Sequence, residues 1–92
     1  MENVKTQGEH AAGVAVLTHD LDELTCAKLR FAAEEWACTV SVMFNGRCAD
    51  TNMLKGLMNL DAHTGDTVHV QAHGNRNAAR ALADSLRALR AA

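Results

Sequence analysis

Hydrophobic and polar residues alternate with a period of two in three stretches of this chain, and apolar residues recur every three to four positions in three others. Val14 to Thr18, "VAVLT", follows Gly13 and stops at the polar pair His19-Asp20, which predicts a strand over about 12–18 with at least one buried face. Asp22 to Trp36 contains neither Gly nor Pro. Thr25, Leu29, Ala32 and Trp36 recur there at helical spacing, so the segment is predicted as a helix with that stripe inward and Asp20 or Asp22 as its cap. "CTVSVMF" alternates again, and Asn45-Gly46 after it is a strong signal for a two-residue hairpin turn, giving antiparallel strands over about 38–44 and 47–50.

Leu54, Leu57, Met58 and Leu60 fit a helix of about two turns closed by Gly65. "TVHVQAH" predicts a fourth strand with Val68, Val70 and Ala72 on one face and His69, Gln71 and His73 on the other. Ala78, Leu82, Leu86 and Leu89 then mark an amphipathic terminal helix with arginines outside. The order βαββαβα on so short a chain predicts an α+β fold, an antiparallel sheet with helices on one face.

A chain of 92 residues supports one domain, 1–92, with residues 1–10 expected to be frayed. Nine Lys plus Arg against eleven Asp plus Glu leave a net charge of −2, which provides no basic field for nucleic acid and no polybasic membrane anchor. The longest apolar run, Ala11 to Leu17, is far shorter than the roughly 20 residues that span a bilayer. The start "MENVKTQGEH" lacks a signal-peptide charge pattern, so a cytoplasmic location is expected. Cys26, Cys38 and Cys48 match neither a disulfide framework nor a zinc motif and are expected to be small, mostly buried residues in a reducing compartment.

No nucleophile motif of the GxSxG or cysteine type occurs, which argues against an independent enzyme, and no cofactor or metal is expected. His69 and His73 stand four residues apart on one strand, about 13 Å at 3.3 Å per residue, too far to chelate one ion together. Cys26 lies near a helix N-terminus, but the neighbouring carboxylates oppose a thiolate there. On a helical wheel Leu24, Ala27 and Phe31 cluster opposite the core stripe. The terminal helix or a second copy covers that patch, or it is a binding surface.

The element order and the run "FNGRCADTNMLKGLMNLDAHTGDTVHVQAHG" resemble HPr, the histidine-containing phosphocarrier of the bacterial phosphotransferase system, and its nitrogen-related variant. The likeness runs without a gap from Leu21 to Gly74, is looser before Leu21, and needs a small deletion before the last helix. It implies an open-faced β-sandwich of four antiparallel strands with three helices on one face. The family's active motif is Leu-His-x-Arg-Pro-Ala-Ala, in which the histidine accepts phosphate from enzyme I and the arginine helps to hold it. Here the corresponding run is Leu21, Asp22, Glu23, Leu24, Thr25, Cys26, Ala27, so the resemblance puts Asp22 at the phosphohistidine and Leu24 at the arginine. The regulatory serine of Gram-positive members falls on Met53.

Charge agrees with the motif. A phosphoryl group at a helix N-terminus is stabilised by free N–H groups and the dipole, but Asp20, Asp22 and Glu23 crowd that end with negative charge. Two like charges about 4 Å apart repel by about 4 kcal/mol at an effective dielectric of 20. The expectation is therefore a chain without the phosphocarrier histidine or the regulatory serine, acting as a protein-binding or regulatory module. The docking face that the resemblance implies includes Leu24, Ala27, Phe31, Met53 and Leu54, with phosphotransferase-system enzymes or a regulator as partner. The alternatives are a phosphocarrier using a displaced acceptor, His19 or Asp22, and a degenerate domain whose patch makes only a homodimer.

Overall fold

A computed structural model describes residues 10–90. Seven elements follow one another: β1 (His10–Val16), α1 (Glu23–Trp36), β2 (Thr39–Phe44), β3 (Arg47–Asp50), α2 (Leu54–Met58), β4 (Thr67–His73) and α3 (Ala78–Arg90). The strands form one antiparallel sheet in the order β1-β4-β2-β3. The three helices pack on one face of it, where Ala15, Val40, Val42, Ala49, Val68, Val70 and Ala72 meet Cys26, Leu29, Leu57, Ala81 and Leu89 in a single core. The other face is open.

The β2–β3 turn has Asn45 at φ 55° and Gly46 at φ 79°, the left-handed pair that a tight two-residue hairpin demands, as the sequence predicts. β4 likewise buries Val68, Val70 and Ala72 and turns His69 and His73 to solvent.

The first strand differs from its expected position. β1 begins at His10, which pairs with His73, and ends at Val16, so His10 is part of the sheet and not frayed; the expectation for residues 1–9 lies outside the described residues. Its small residues face inward. Ala11, Gly13 and Ala15 lie under α3, and a Cβ at Gly13 would meet Leu86 Cδ1 at 3.2 Å, so the missing side chain lets the helix approach. The larger Val14 and Val16 stand on the open face.

Three further corrections have local causes. α2 is five residues long, with Leu57 in the core; Leu60 is buried too, but from the turn that follows. Asp61 already has φ 59°, and Gly65 serves the next turn, donating its N–H to the Leu17 carbonyl, so it does not close the helix. Cys26 and Cys38 are buried as expected, but Cys48 is exposed because its register opposite Met43 points it to the open face. Trp36, expected in the core stripe, is half-buried: its Nε1–H donates to Asp84 at 2.7 Å and Arg80 lies 5.6 Å from the ring centre, which ties the end of α1 to α3.

Candidate functional site

The N-terminal end of α1 is built from two segments far apart in sequence. Leu17 and Leu21 donate backbone N–H groups to Asp66 and Ala62, and Gly65 returns a bond to Leu17, lacing 17–21 to 62–66. Asp20 completes the seam by accepting the Thr64 N–H at 2.9 Å and its hydroxyl at 3.1 Å. The second carboxylate has a different task. Asp22 is the N-cap in extended conformation, its Oδ1 accepting the Thr25 N–H at 2.9 Å while its carbonyl takes the first intrahelical bond from Cys26.

These bonds set the charge at this end. Donation from Thr64 holds the Asp20 carboxyl below its ordinary value, and donation from Thr25 does the same for Asp22. Both stay anionic where a carboxylic acid would begin to protonate, and Glu23 adds a third exposed carboxylate one residue on. Burial, with the Asp22 charge as the lesser cause, pushes the Cys26 thiol up to about 11. A group so raised is a packed side chain and not a nucleophile at neutral pH.

His19 joins the same end of the helix. Its Nε2 and the Thr25 hydroxyl hydrogen-bond at 2.7 Å, and its Nδ1 lies 3.1 Å from the Thr18 hydroxyl. The half-buried imidazole is thus set between two threonines, against the residue whose N–H Asp22 caps. Nothing in the spacing of the sequence signals this contact; it exists because the turn after β1 folds back over α1.

Along the outer side of α1, Leu24 is 65% and Phe31 67% exposed, and on the segment entering α2 Met53 is 58% exposed. Ala27 is exposed between them, whereas Leu54 is half-buried and packs on the core, so it is the inner edge of the patch. α3 does not cover these residues: it packs against the opposite side of α1, through Trp36. Met58, 43% exposed and one turn on from Leu54, belongs to the solvent side of α2, although the period of the sequence groups it with the core leucines. A cavity of about 270 Å³ opens at the far end of α1, lined by Ala33, Ala37, Cys38 and Thr51 among others, and none of the candidate residues borders it.

The family model described as the PTS HPr component phosphorylation site matches residues 16–91. The chain belongs to the HPr family. The HPr fold extends over nearly the whole molecule: the crystal structure of a phosphocarrier protein HPr from Bacillus anthracis str. Ames superposes with a TM-score of 0.76, covering 88% of this chain and 98% of that one at 17% identity. HPr-C-His from Thermoanaerobacter tengcongensis gives 0.71, with 88% and 90% covered at 15% identity. No curated protein matches the sequence. Membership therefore rests on the family model and the likenesses at low identity carry the fold, the four-stranded open-faced sandwich that the sequence reading expects. Among the described residues no helix is long and apolar enough to cross a membrane.

Proposed function

We propose that this HPr-family chain is a protein-binding or regulatory module, one cytoplasmic domain that works through the exposed face of α1 and α2 and carries no phosphate on a histidine at the helix cap. The observation that supports this is the state of the cap. The residue that the resemblance puts at the family's phosphohistidine is Asp22, and its carboxylate is already bonded to the Thr25 N–H at 2.9 Å. The helix end offers an anion where a phosphocarrier needs room for one. Beside it, Leu24 stands where the resemblance puts the phosphate-holding arginine and is exposed together with Phe31 and Met53, an apolar surface suited to a protein partner. A phosphotransferase-system enzyme or a regulator is the partner class that family membership suggests.

One contact favours a second reading, a phosphocarrier with a displaced acceptor. His19 lies over the same helix end, hydrogen-bonded to Thr25, and would have to give up one threonine contact to take a phosphoryl group. Asp22 is the weaker acceptor of the two, since an acyl phosphate there would sit beside Asp20 and Glu23. A third reading is that the patch joins two copies of this chain.

Intact mass after incubation with phosphoenolpyruvate and enzyme I from the same cell separates these readings, with an ordinary HPr as positive control. The expected result is no added phosphoryl group. A stoichiometric adduct would overturn the proposal; acid lability with base stability would assign it to His19, lability under both conditions to Asp22. Leu24→Asp with Phe31→Asp is expected to abolish complex formation with little change in thermal stability, and sedimentation of the parent protein tests the homodimer.

A further inference from the structure

The two edges of the sheet are protected to different degrees. β3 is four residues long and carries two charges, both tied back: Arg47 donates to the Asn59 carbonyl and Asp50 accepts from the Ser41 hydroxyl. β1 is seven residues long, holds no Lys, Arg, Asp, Glu or Pro, and pairs with β4 one for one, without a bulge. It lacks each of the devices that keep an edge strand from pairing with another chain. Among the described residues no strand pairs with its outer side. The direction of its free groups follows from the end of the strand. Leu17 donates its N–H to Asp66 and accepts the Gly65 N–H, so its backbone faces the β4 side. That orientation alternates along an antiparallel ladder, so Ala11, Gly13 and Ala15 bond β4, while His10, Ala12, Val14 and Val16 turn N–H and C=O outward. Apolar side chains flank this row on both faces of the sheet. Val14 and Val16 are more than half exposed on the open face, and the half-buried Leu82 and Leu86 of α3 border Gly13 on the other.

We propose that β1 is a self-association edge, on which two copies of this chain pair their first strands antiparallel about a two-fold axis at Gly13. This register sets Ala12 opposite Val14 and His10 opposite Val16. These are the residues with outward groups, so each free N–H and C=O of the strand finds a partner. Gly13 faces Gly13 of the second copy in the close, non-hydrogen-bonded pairing, about 4.5 Å between Cα atoms, and its missing side chain leaves room there beneath the two α3 helices. On the open face the exposed valines of both copies join in one apolar stripe, and on the helical face Leu82 and Leu86 line the seam. A second copy suits the edge because the strand is self-complementary: no like charges meet, and small residues oppose small ones where the helices overhang. Pairing uses up β1 in both copies and the other edge is blocked at β3, so the assembly closes as a dimer and does not grow into a fibre.

The test is sedimentation equilibrium of the full chain, with amide hydrogen exchange to locate the interface. A concentration-dependent equilibrium between monomer and dimer is expected. Val14→Lys and Ala12→Pro should each give a monomer that melts close to the dilute parent, because neither position bonds β4 and both side chains are exposed. Leu24→Asp with Phe31→Asp should dimerise as the parent does, which separates this interface from one made by the α1 patch. Exchange on the parent protein is independent of any variant. The amides of Ala12, Val14 and Val16 should slow by about tenfold or more from dilute to concentrated solution, while those of Ala11, Gly13 and Ala15 are slow in both. A chain that is monomeric at every concentration overturns the proposal. So does a dimer that survives both β1 variants, or one in which the Ala12 and Val14 amides stay fast.

Discussion

Asp22 caps α1 through a single bond, its Oδ1 accepting the backbone N–H of Thr25 at 2.9 Å. Asp22→Ala is expected to lower the thermal midpoint by a few degrees, whereas Asp22→Asn, an equally good cap, should stay near the parent value. Acid titration adds a sign. Asp20 and Asp22 are both held below their ordinary value of 3.8, so their stabilisation is complete above that pH and fades as pH falls through the lower folded values. Urea midpoints measured from pH 5 down to pH 2 should fall less steeply in Asp20→Asn and Asp22→Asn than in the parent.

Leu24 and Leu29 lie on one helix with opposite fates, since Leu24 is largely exposed and Leu29 fully buried. Leu29→Ala should cost about 2–5 kcal/mol in urea unfolding, while Leu24→Ala should stay within about 0.5 kcal/mol of the parent. Equal costs would mean that the patch is core, and the docking proposal would fall with it.

Trp36→Phe removes the indole donor to Asp84 and weakens the stacking surface under Arg80. The expected loss is about 1–3 kcal/mol, because a half-buried edge of the α1–α3 seam loses a hydrogen bond to a charged acceptor. Asp84→Asn keeps an acceptor and should cost less.

Reagent access to the thiols gives a quick check on the fold. Of three cysteines, Cys48 alone is exposed. A disulfide reagent at pH 8 should titrate one thiol rapidly in the folded protein and all of them in denaturant, with Cys26 slow because its pKa is raised to about 11.

Gly13→Val tests the approach of α3 to β1. The first Cβ would already lie 3.2 Å from Leu86 Cδ1 and 3.6 Å from Leu82 Cδ2, and the added methyl groups would press further on these leucines, so a loss of about 1–3 kcal/mol is expected. Gly13→Ala, which asks only a small shift of a flexible leucine, should cost much less.

What the sequence reveals follows the range of the interactions. β4 and the β2–β3 hairpin are legible because their signals are local: alternation in "TVHVQAH" and the Asn45-Gly46 pair. α1 is legible for the same reason, but residue type leaves its cap open between Asp20 and Asp22, and the fold decides for Asp22 by engaging Asp20 with Thr64. α2 reads too long because Leu57 and Leu60 keep a helical spacing that the backbone abandons at Asn59. The faces of β1 stay open in the sequence, since only the packing of α3 decides that small residues go in and valines out. Within the site, the exposed faces of Leu24 and Phe31 follow from helical geometry, but the bond between Asp20 and Thr64 joins residues 44 positions apart and has no local signature. The contact of His19 with Thr25 depends on the same fold-back.

The strand order has a consequence for how the chain is made. Among the described strands β1 pairs with β4 alone, residue 10 meeting residue 73. β1 is therefore synthesised about 50 residues ahead of its partner. Until Thr67–His73 appears, Val14 and Val16 belong to an unpaired strand, a template on which other strands could pair. The hairpin of β2 and β3 can form much earlier, and the sheet then grows outward from the middle of the sequence toward its beginning.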